Sequence, residues 1–238
     1  MRACAGRDYK RQVAGANADT YVVIAAFNEG KVIRGVVAEV AAAGYSVIVV
    51  DDGSRDDTAT SARMVDVTVI RHPINLGQGA SLQTGIDYAL RRKARYIVTY
   101  DADGQHSLED IPDLIAALTH ADIALGSRFL GKDVIGAGAR RKAMLRTATL
   151  VSNKLSGLKL TDAHCGLRAF RASVAPQLRI TQDRMAHASE LLRKIQRSGL
   201  RVVEVPVTIK YTEHSKAKGQ GGFQAIRILF DYFFRPSS

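Results

Sequence analysis

Tryptophan is absent from this chain, cysteine occurs twice and proline five times in 238 residues. Cys4 and Cys165 lie far apart, and Cys4 sits in a start segment that reads as unstructured, so no structural disulfide is expected. That suits a reducing cytosol. No run approaches the roughly 18 apolar residues needed to span a bilayer. Residues 1–19 hold Arg2, Arg7, Asp8, Lys10 and Arg11 without an apolar stretch, which argues against an ordinary secretory signal and reads as a flexible segment. Acids are also scarce, 23 against 34 Lys and Arg, and the resulting net charge of +11 makes a surface drawn to polyanions. Nucleic acid is not the expected one: there is no zinc-finger spacing, no aromatic-rich ribonucleoprotein strand and no helix with a dense basic stripe.

A hydrophobic fraction of 46% is close to the globular average, so the chain is expected to fold as one domain. From Thr20 onward, apolar runs alternate with helical patterns. Strands are expected at Tyr21–Ala26, Val47–Val50, Val67–Ile70, Tyr96–Tyr100 and Ile123–Leu125. Helices are expected between them, over about Lys31–Ala43, Asp56–Met64, Gly79–Arg92 and Pro112–Leu118. Continuous rather than alternating apolar strands, joined through helices by short loops, indicate a mainly parallel α/β sheet with helices on both faces. Ligands bind such sheets beyond the carboxyl ends of the strands. A glycine-rich basic loop through Arg141 reads as the mobile part. A helix near Arg140–Leu155, a strand at Leu167–Phe170, a helix near Met185–Ser198 and a strand from Val202 to Ile209 complete the body.

The polar residues of interest stand at strand ends. Asp101 and Asp103 flank Ala102 at the end of the fourth strand, and residues two apart on an extended chain point to one side. Two such acids repel each other unless a bound Mg²⁺ or Mn²⁺ relieves them, and that ion would also ligate diphosphate oxygens. Alone, Asp-X-Asp-Gly is more often an acidic turn. Asp51-Asp52-Gly53-Ser54 ends the second strand, where a carboxylate is suited to accept from a ring N–H of a base. Asn28 and Glu29 follow the first strand; they suit a base or ribose, with a helix cap by Asn28 as the competing reading. Asn75-Leu76-Gly77-Gln78-Gly79 joins a strand to a helix, and its glycines permit close backbone approach.

Taken in order, Ala26-Phe27-Asn28-Glu29, Asp51-Asp52-Gly53-Ser54 with Asp56 and Thr58, Asn75 to Gly79, and Asp101-Ala102-Asp103-Gly104-Gln105-His106 resemble the family-two inverting glycosyltransferases. The similarity runs from about Tyr21 to Tyr211 and is greatest to the dolichyl-phosphate mannose synthase and polyprenyl-phosphate glycosyltransferase branch. It implies a single-domain glycosyltransferase A-type nucleotide-binding fold, with a catalytic domain over 20–212. It implies a donor site of Ala26, Asn28, Glu29, Asp51, Asp52, Gly79, Asp101 and Ala102, and a metal site of Asp101, Asp103 and Gln105 for Mg²⁺ or Mn²⁺. Ser127, Arg128 and Arg141 match positions that bind the acceptor's phosphate. Thr161 to Arg168 is similar to the segment that closes on the donor sugar, although Cys165 and Leu167 stand where the branch has Ser or Thr and an aromatic.

The implied reaction is an in-line displacement at the anomeric carbon of a nucleoside-diphosphate sugar, with Asp103, Asp162 and Arg168 as the catalytic residues. A polyprenyl phosphate acceptor is already an anion and needs no strong base; a sugar hydroxyl does, and Asp162 is then the candidate. A silent nucleotide- or membrane-binding module is the competing class, and the intact acidic pair argues against it. Residues 213–238 read as a basic loop followed by an amphipathic helix. Lys216 of that loop either approaches the donor diphosphate or lies in a solvated linker. Phe223, Ile226, Leu229 and Phe233 with Arg227 and Arg235 suit a helix lying on a membrane, packing on the body or contacting a second copy in a homo-oligomer. The expected location is the cytoplasm, peripheral on the inner face of the membrane.

Overall fold

A computed structural model of the chain describes residues 17–131, 134–135, 139–182 and 186–210. The first strands fall where the apolar runs lie: β1 (Thr20–Ala26), β2 (Ser46–Asp51), β3 (Thr68–Arg71) and β4 (Tyr96–Asp101). Helices α1 (Ile33–Ala42), α2 (Thr58–Arg63) and α3 (Gln78–Arg91) connect them. Beyond β4 come α4 (Ile111–Ala117), β5 (Ile123–Ser127), the short β6 (Val134–Ile135), α5 (Ala139–Ser156) and β7 (Arg168–Arg171). Then follow a 3₁₀ segment (Ala172–Leu178), α6 (Ala186–Ser198), β8 (Val202–Pro206) and β9 (Ile209–Lys210).

The main sheet has seven strands in the order β3-β2-β1-β4-β7-β5-β8. Its left half is parallel, β1 pairing with both β2 and β4. Strand β7 runs antiparallel between β4 and β5. Because β4, β5 and β1 all point the same way, the ends that carry Ala26, Asp51, Asp101 and Ser127 open onto one rim, as expected for a mainly parallel α/β sheet.

Side chains alternate across the sheet. Val22, Ile24, Val47, Val49 and Val98 pack on one face against Ile33, Val37, Ile111 and Leu114. Val23, Ile48, Val50 and Ile97 pack on the other against Leu82, Ile86, Leu191 and Ile195. Each fully buried branched side chain contributes about 1.5–3 kcal/mol, and the central strands, covered on both faces, need no polar alternation. Gly85 has a packing reason in this arrangement, since a Cβ there would stand 2.3 Å from Val23 Cγ1.

The structure departs from the sequence expectation at the right-hand side. The strand expected from Val202 to Ile209 is broken after Pro206, which has no N–H for a ladder. Val207 N donates to Ser127 O at 3.0 Å and Thr208 N to Asp110 Oδ2 at 2.6 Å, so the chain crosses the rim before Ile209–Lys210 pairs with Val134–Ile135. Strand β6 of this small two-stranded sheet falls within the stretch read as a mobile loop.

Candidate active site

The loop after β1 is stitched to the loop after β2. Asn28 adopts a left-handed conformation, φ 54°, that Asn tolerates better than most residues. Its N–H donates to Ser54 Oγ at 2.9 Å and its Oδ1 accepts from Arg55 N at 3.0 Å. The side chain therefore does not cap α1, whose N-cap Val32 makes no side-chain bond. Glu29 N donates to Thr58 Oγ1 at 2.8 Å and Gly30 N to Asp56 Oδ2 at 3.0 Å. Ala26 is buried, and its carbonyl accepts from Asp52 N at 2.9 Å.

Asp51 and Asp52 are both buried, with different tasks. Asp51 Oδ1 accepts from Ser54 N at 3.1 Å and Oδ2 lies 3.1 Å from Arg71 Nε. Asp52 holds the next loop: Oδ1 accepts from Leu76 N at 2.9 Å and lies 2.9 Å from His72 Nδ1, while Oδ2 accepts from Gly77 N at 2.7 Å. His72 Nε2 in turn lies 3.0 Å from Thr84 Oγ1 in α3. Burial opposes ionisation of Asp52, but the bonds from His72, Leu76 and Gly77 hold its carboxyl below the usual range. Gly79 is buried under another segment, since a Cβ there would stand 2.2 Å from Gln182 O.

At the end of β4, Asp101 Oδ2 pairs with His106 Nε2 at 2.8 Å, and Gln78 Nε2 reaches Oδ1 at a long 3.5 Å. Asp103 Oδ1 accepts from Gln105 N at 3.0 Å, and Gln105 Nε2 donates to Oδ2. Gly104, at φ 71°, makes this turn possible. The two carboxyls are driven apart. Burial opposes ionisation of Asp101, but His106, by charge and hydrogen bond, and then Arg168 and Arg128 hold it low. Asp103 is raised, first by burial and then by the charge of Asp101. Ala102 between them is buried. Gly166 lets its backbone press on the pair: a Cβ there would meet Asp101 Oδ2 at 2.3 Å.

The third cluster joins the end of β5 to the loop before β7. Ser127 Oγ lies 2.6 Å from Thr161 Oγ1. Arg128 is bound to Asp162 through its backbone N–H at 3.2 Å and its Nε at 2.5 Å, both to Oδ2. Asp162 Oδ1 accepts from His164 N at 3.1 Å, and the Asp162 side chain is 0% exposed. A carboxylate so enclosed anchors Arg128; the geometry gives no support to Asp162 as a base facing substrate. Arg168 is buried behind the acidic pair, its Nε donating to Cys165 O at 3.0 Å. Cys165 is a buried free thiol, pushed up to about 12 by burial. Arg141 lies in the backbone of α5, its side chain beyond the described residues, and Lys216 and the tail helix also fall outside them.

The glycosyl transferase family 2 pattern matches residues 21–179, which spans every strand-end cluster above. The chain belongs to glycosyl transferase family 2.

This glycosyltransferase is 33% identical to a polyprenol monophosphomannose synthase of Mycolicibacterium smegmatis, over 85% of the chain and 81% of that protein. It is 31% identical to a UDP-N-acetylglucosamine–dolichyl-phosphate N-acetylglucosaminyltransferase of Methanococcus voltae, over 90% of the chain and 93% of that protein. Among solved structures, glucosyl-3-phosphoglycerate synthase of Mycobacterium tuberculosis superposes with a TM-score of 0.67 at 20% identity, covering 98% of the chain and 86% of that protein. That likeness is one of glycosyltransferase A-type fold.

The sequence reading missed several residues that organise this glycosyltransferase. Arg71, besides meeting Asp51, donates from Nη2 to Ser54 O at 2.8 Å. His72 and His106 each hold a strand-end carboxylate, and Glu204 of β8 holds Thr161 and Asp162. His106 lies within the Asp101–His106 motif, which is its signal; a lone His after β3 or a Glu in an edge strand carries no local signal.

Proposed function

We propose that this glycosyltransferase transfers a sugar from a nucleoside-diphosphate sugar to a polyprenyl phosphate, with inversion at the anomeric carbon. The observation that carries the reading is the meeting, on one rim, of the Asp101–Asp103 pair with Arg128, whose charge acts on Asp101. Relatives that span most of the chain and are named for polyprenol and dolichyl phosphate support the acceptor class.

A divalent cation fits the acidic pair. Asp101 and Asp103 offer oxygen donors, and Asp103 is raised first by burial and then by the charge of Asp101, a repulsion that a cation relieves. Among the described residues no group of three or more His, Cys, Asp or Glu side chains completes a cage. Mg²⁺ and Mn²⁺ tolerate this, being held by one or two carboxylates together with substrate phosphates and water, with the Gln105 amide oxygen available as a further donor. Bound there, the ion would supply neutralisation of charge on the departing diphosphate.

The protein's own groups do the rest. The Asn28–Glu29 and Asp51 loops frame the nucleoside, and Asp52 acts at one remove by holding Leu76 and Gly77 in place. Ser127, Arg128 and Arg141 receive the acceptor's phosphate, whose oxygen attacks the anomeric carbon as the bond to the diphosphate breaks. Arg168 keeps positive charge behind Asp101 throughout, since a guanidinium stays protonated even when burial lowers it. The same proposal assigns Lys216 to the diphosphate, residues 223–234 to the membrane surface, 20–212 to the catalytic body and the enzyme to the inner face as a peripheral protein.

Nucleotide sugars are to be screened for divalent-dependent thermal stabilisation, a ligand at about 100 times its Kd giving about 2.7 kcal/mol. The best donor is then combined with a polyprenyl phosphate, and the lipid-linked sugar is measured with and without chelator. Metal-dependent product is the expected result. Transfer only to sugar hydroxyls would overturn the acceptor assignment, and chelator-resistant transfer the metal.

A further inference from the structure

Glu204 belongs to none of the strand-end motifs. It lies in β8, the outermost strand, in register with Leu125 of β5, so that Pro206 stands beside Ser127. A glutamate in an edge strand is ordinarily a solvated charge that discourages edge-to-edge association. This one is half-buried and occupied. Thr161 N donates to Oε1 at 2.9 Å and to Oε2 at 2.8 Å, Thr161 Oγ1 donates to Oε1 at 2.8 Å, and Asp162 N donates to Oε1 at 3.0 Å.

Each of those groups leads to the acceptor side of the cleft. With its own proton given to Glu204, the Thr161 hydroxyl accepts from Ser127 Oγ at 2.6 Å. Asp162, fixed through its backbone, takes the N–H and Nε of Arg128. A continuous path of charge-assisted bonds therefore runs from the sheet edge to the arginine.

We infer that Glu204 is a positioning residue for the anionic acceptor: it fixes Thr161 and Asp162, and Asp162 thereby fixes the Arg128 guanidinium. The inference rests on the assignment of Arg128 to the acceptor's phosphate. The hydrogen bonds that hold the Asp52 and Asp101 loops come from other partners, so the Glu204 path reaches the donor side only through the charge of Arg128 on Asp101. The carboxylate is essential rather than the side-chain volume. A glutamine of the same size has one acceptor oxygen for the Thr161 and Asp162 donors and turns an NH₂ toward the rest.

The test compares wild type, Glu204→Gln, Arg128→Lys and the double variant in steady-state transfer to a short-chain polyprenyl phosphate, with melting curves for each. Loss of a charge-assisted clamp predicts that Glu204→Gln raises acceptor KM about tenfold while donor KM stays within about twofold. In the Arg128→Lys background the same change adds less than about twofold, because the path it supports is already broken. Equal rises in both KM values, or fully additive effects in the double variant, would mean a merely structural Glu204 and overturn the inference. Unchanged acceptor KM in Glu204→Gln overturns it too and leaves the acceptor assignment standing. A wild-type enzyme that uses donor but never this acceptor overturns the assignment, and the inference with it.

Discussion

Asp103 keeps its proton to higher pH in the folded chain than in the unfolded one, because burial and then the charge of Asp101 work against its ionisation. Whatever stability a protonated Asp103 contributes is present in acid and lost as pH rises through its folded value, so at neutral pH the charge is a cost. Asp103→Asn is expected to raise the melting temperature in chelator by about 2 °C while lowering metal-dependent transfer about 100-fold or more. A variant that melts lower and retains transfer would reject Asp103 as part of the machinery. Asp52 has the opposite sign. Burial opposes its charge, but its N–H partners prevail and hold it low, so its contribution is present above the ordinary carboxylate value and lost as pH falls through the folded one. Asp52→Asn leaves a buried N–H of Leu76 or Gly77 without its partner, which costs about 2 kcal/mol. Melting curves between about pH 3 and 7 should show the variant lower at neutral pH and converging on wild type in acid. Sequence located both residues at strand ends correctly. It could not divide Asp51 from Asp52, because that division depends on His72 and on a loop some 25 residues away.

Strand and helix positions were legible wherever burial on both faces wrote a continuous apolar run, as in Val22–Ile24 and Val47–Val50. Direction was not. Leu167–Phe170 reads as a strand, but the antiparallel insertion of β7 between β4 and β5 is decided by the path of the chain from α5, which no local pattern encodes. The 3₁₀ segment over Ala172–Leu178, with Pro176 inside it, likewise had no periodic signal. A glycine at an element junction can be required by packing as well as by a ligand. Gly79 is the case in point, since what lies against it is the carbonyl of Gln182. Gly79→Ala is therefore expected to cost about 1–3 kcal/mol of stability, because α3 and the 180–182 segment must separate. Gly166→Ala should instead act on catalysis: its Cβ would meet Asp101 Oδ2 at 2.3 Å, and the cheapest relief is rotation of that carboxylate. Chemical denaturation and transfer rate, measured on both variants, distinguish the two. A Gly166→Ala enzyme with normal rate and lowered stability would refute the close packing of Asp101 on that backbone.

Across the whole molecule, a net charge of +11 acts at a membrane as a field rather than as a site. None of the helices within the described residues is long and apolar enough to cross a bilayer; the proposed attachment draws on surface charge, on a helix of the tail lying in the interface, or on both. The two are separable because they respond differently to salt. Each Lys or Arg near an anionic surface contributes about 1 kcal/mol, and this fades as the Debye length shrinks from about 10 Å at 0.1 M salt to about 3 Å at 1 M. Apolar insertion by Phe223, Ile226, Leu229 and Phe233 would persist. Full-length protein is accordingly expected to sediment with anionic vesicles at low salt and to keep a measurable fraction bound at 1 M, whereas a chain ending at Gly222 should bind at low salt only. Neutral vesicles should retain the full-length protein weakly and the shortened one not at all. Identical salt curves for the two chains would reject the interfacial helix, and the attraction of this enzyme to lipid would then rest on its charge alone.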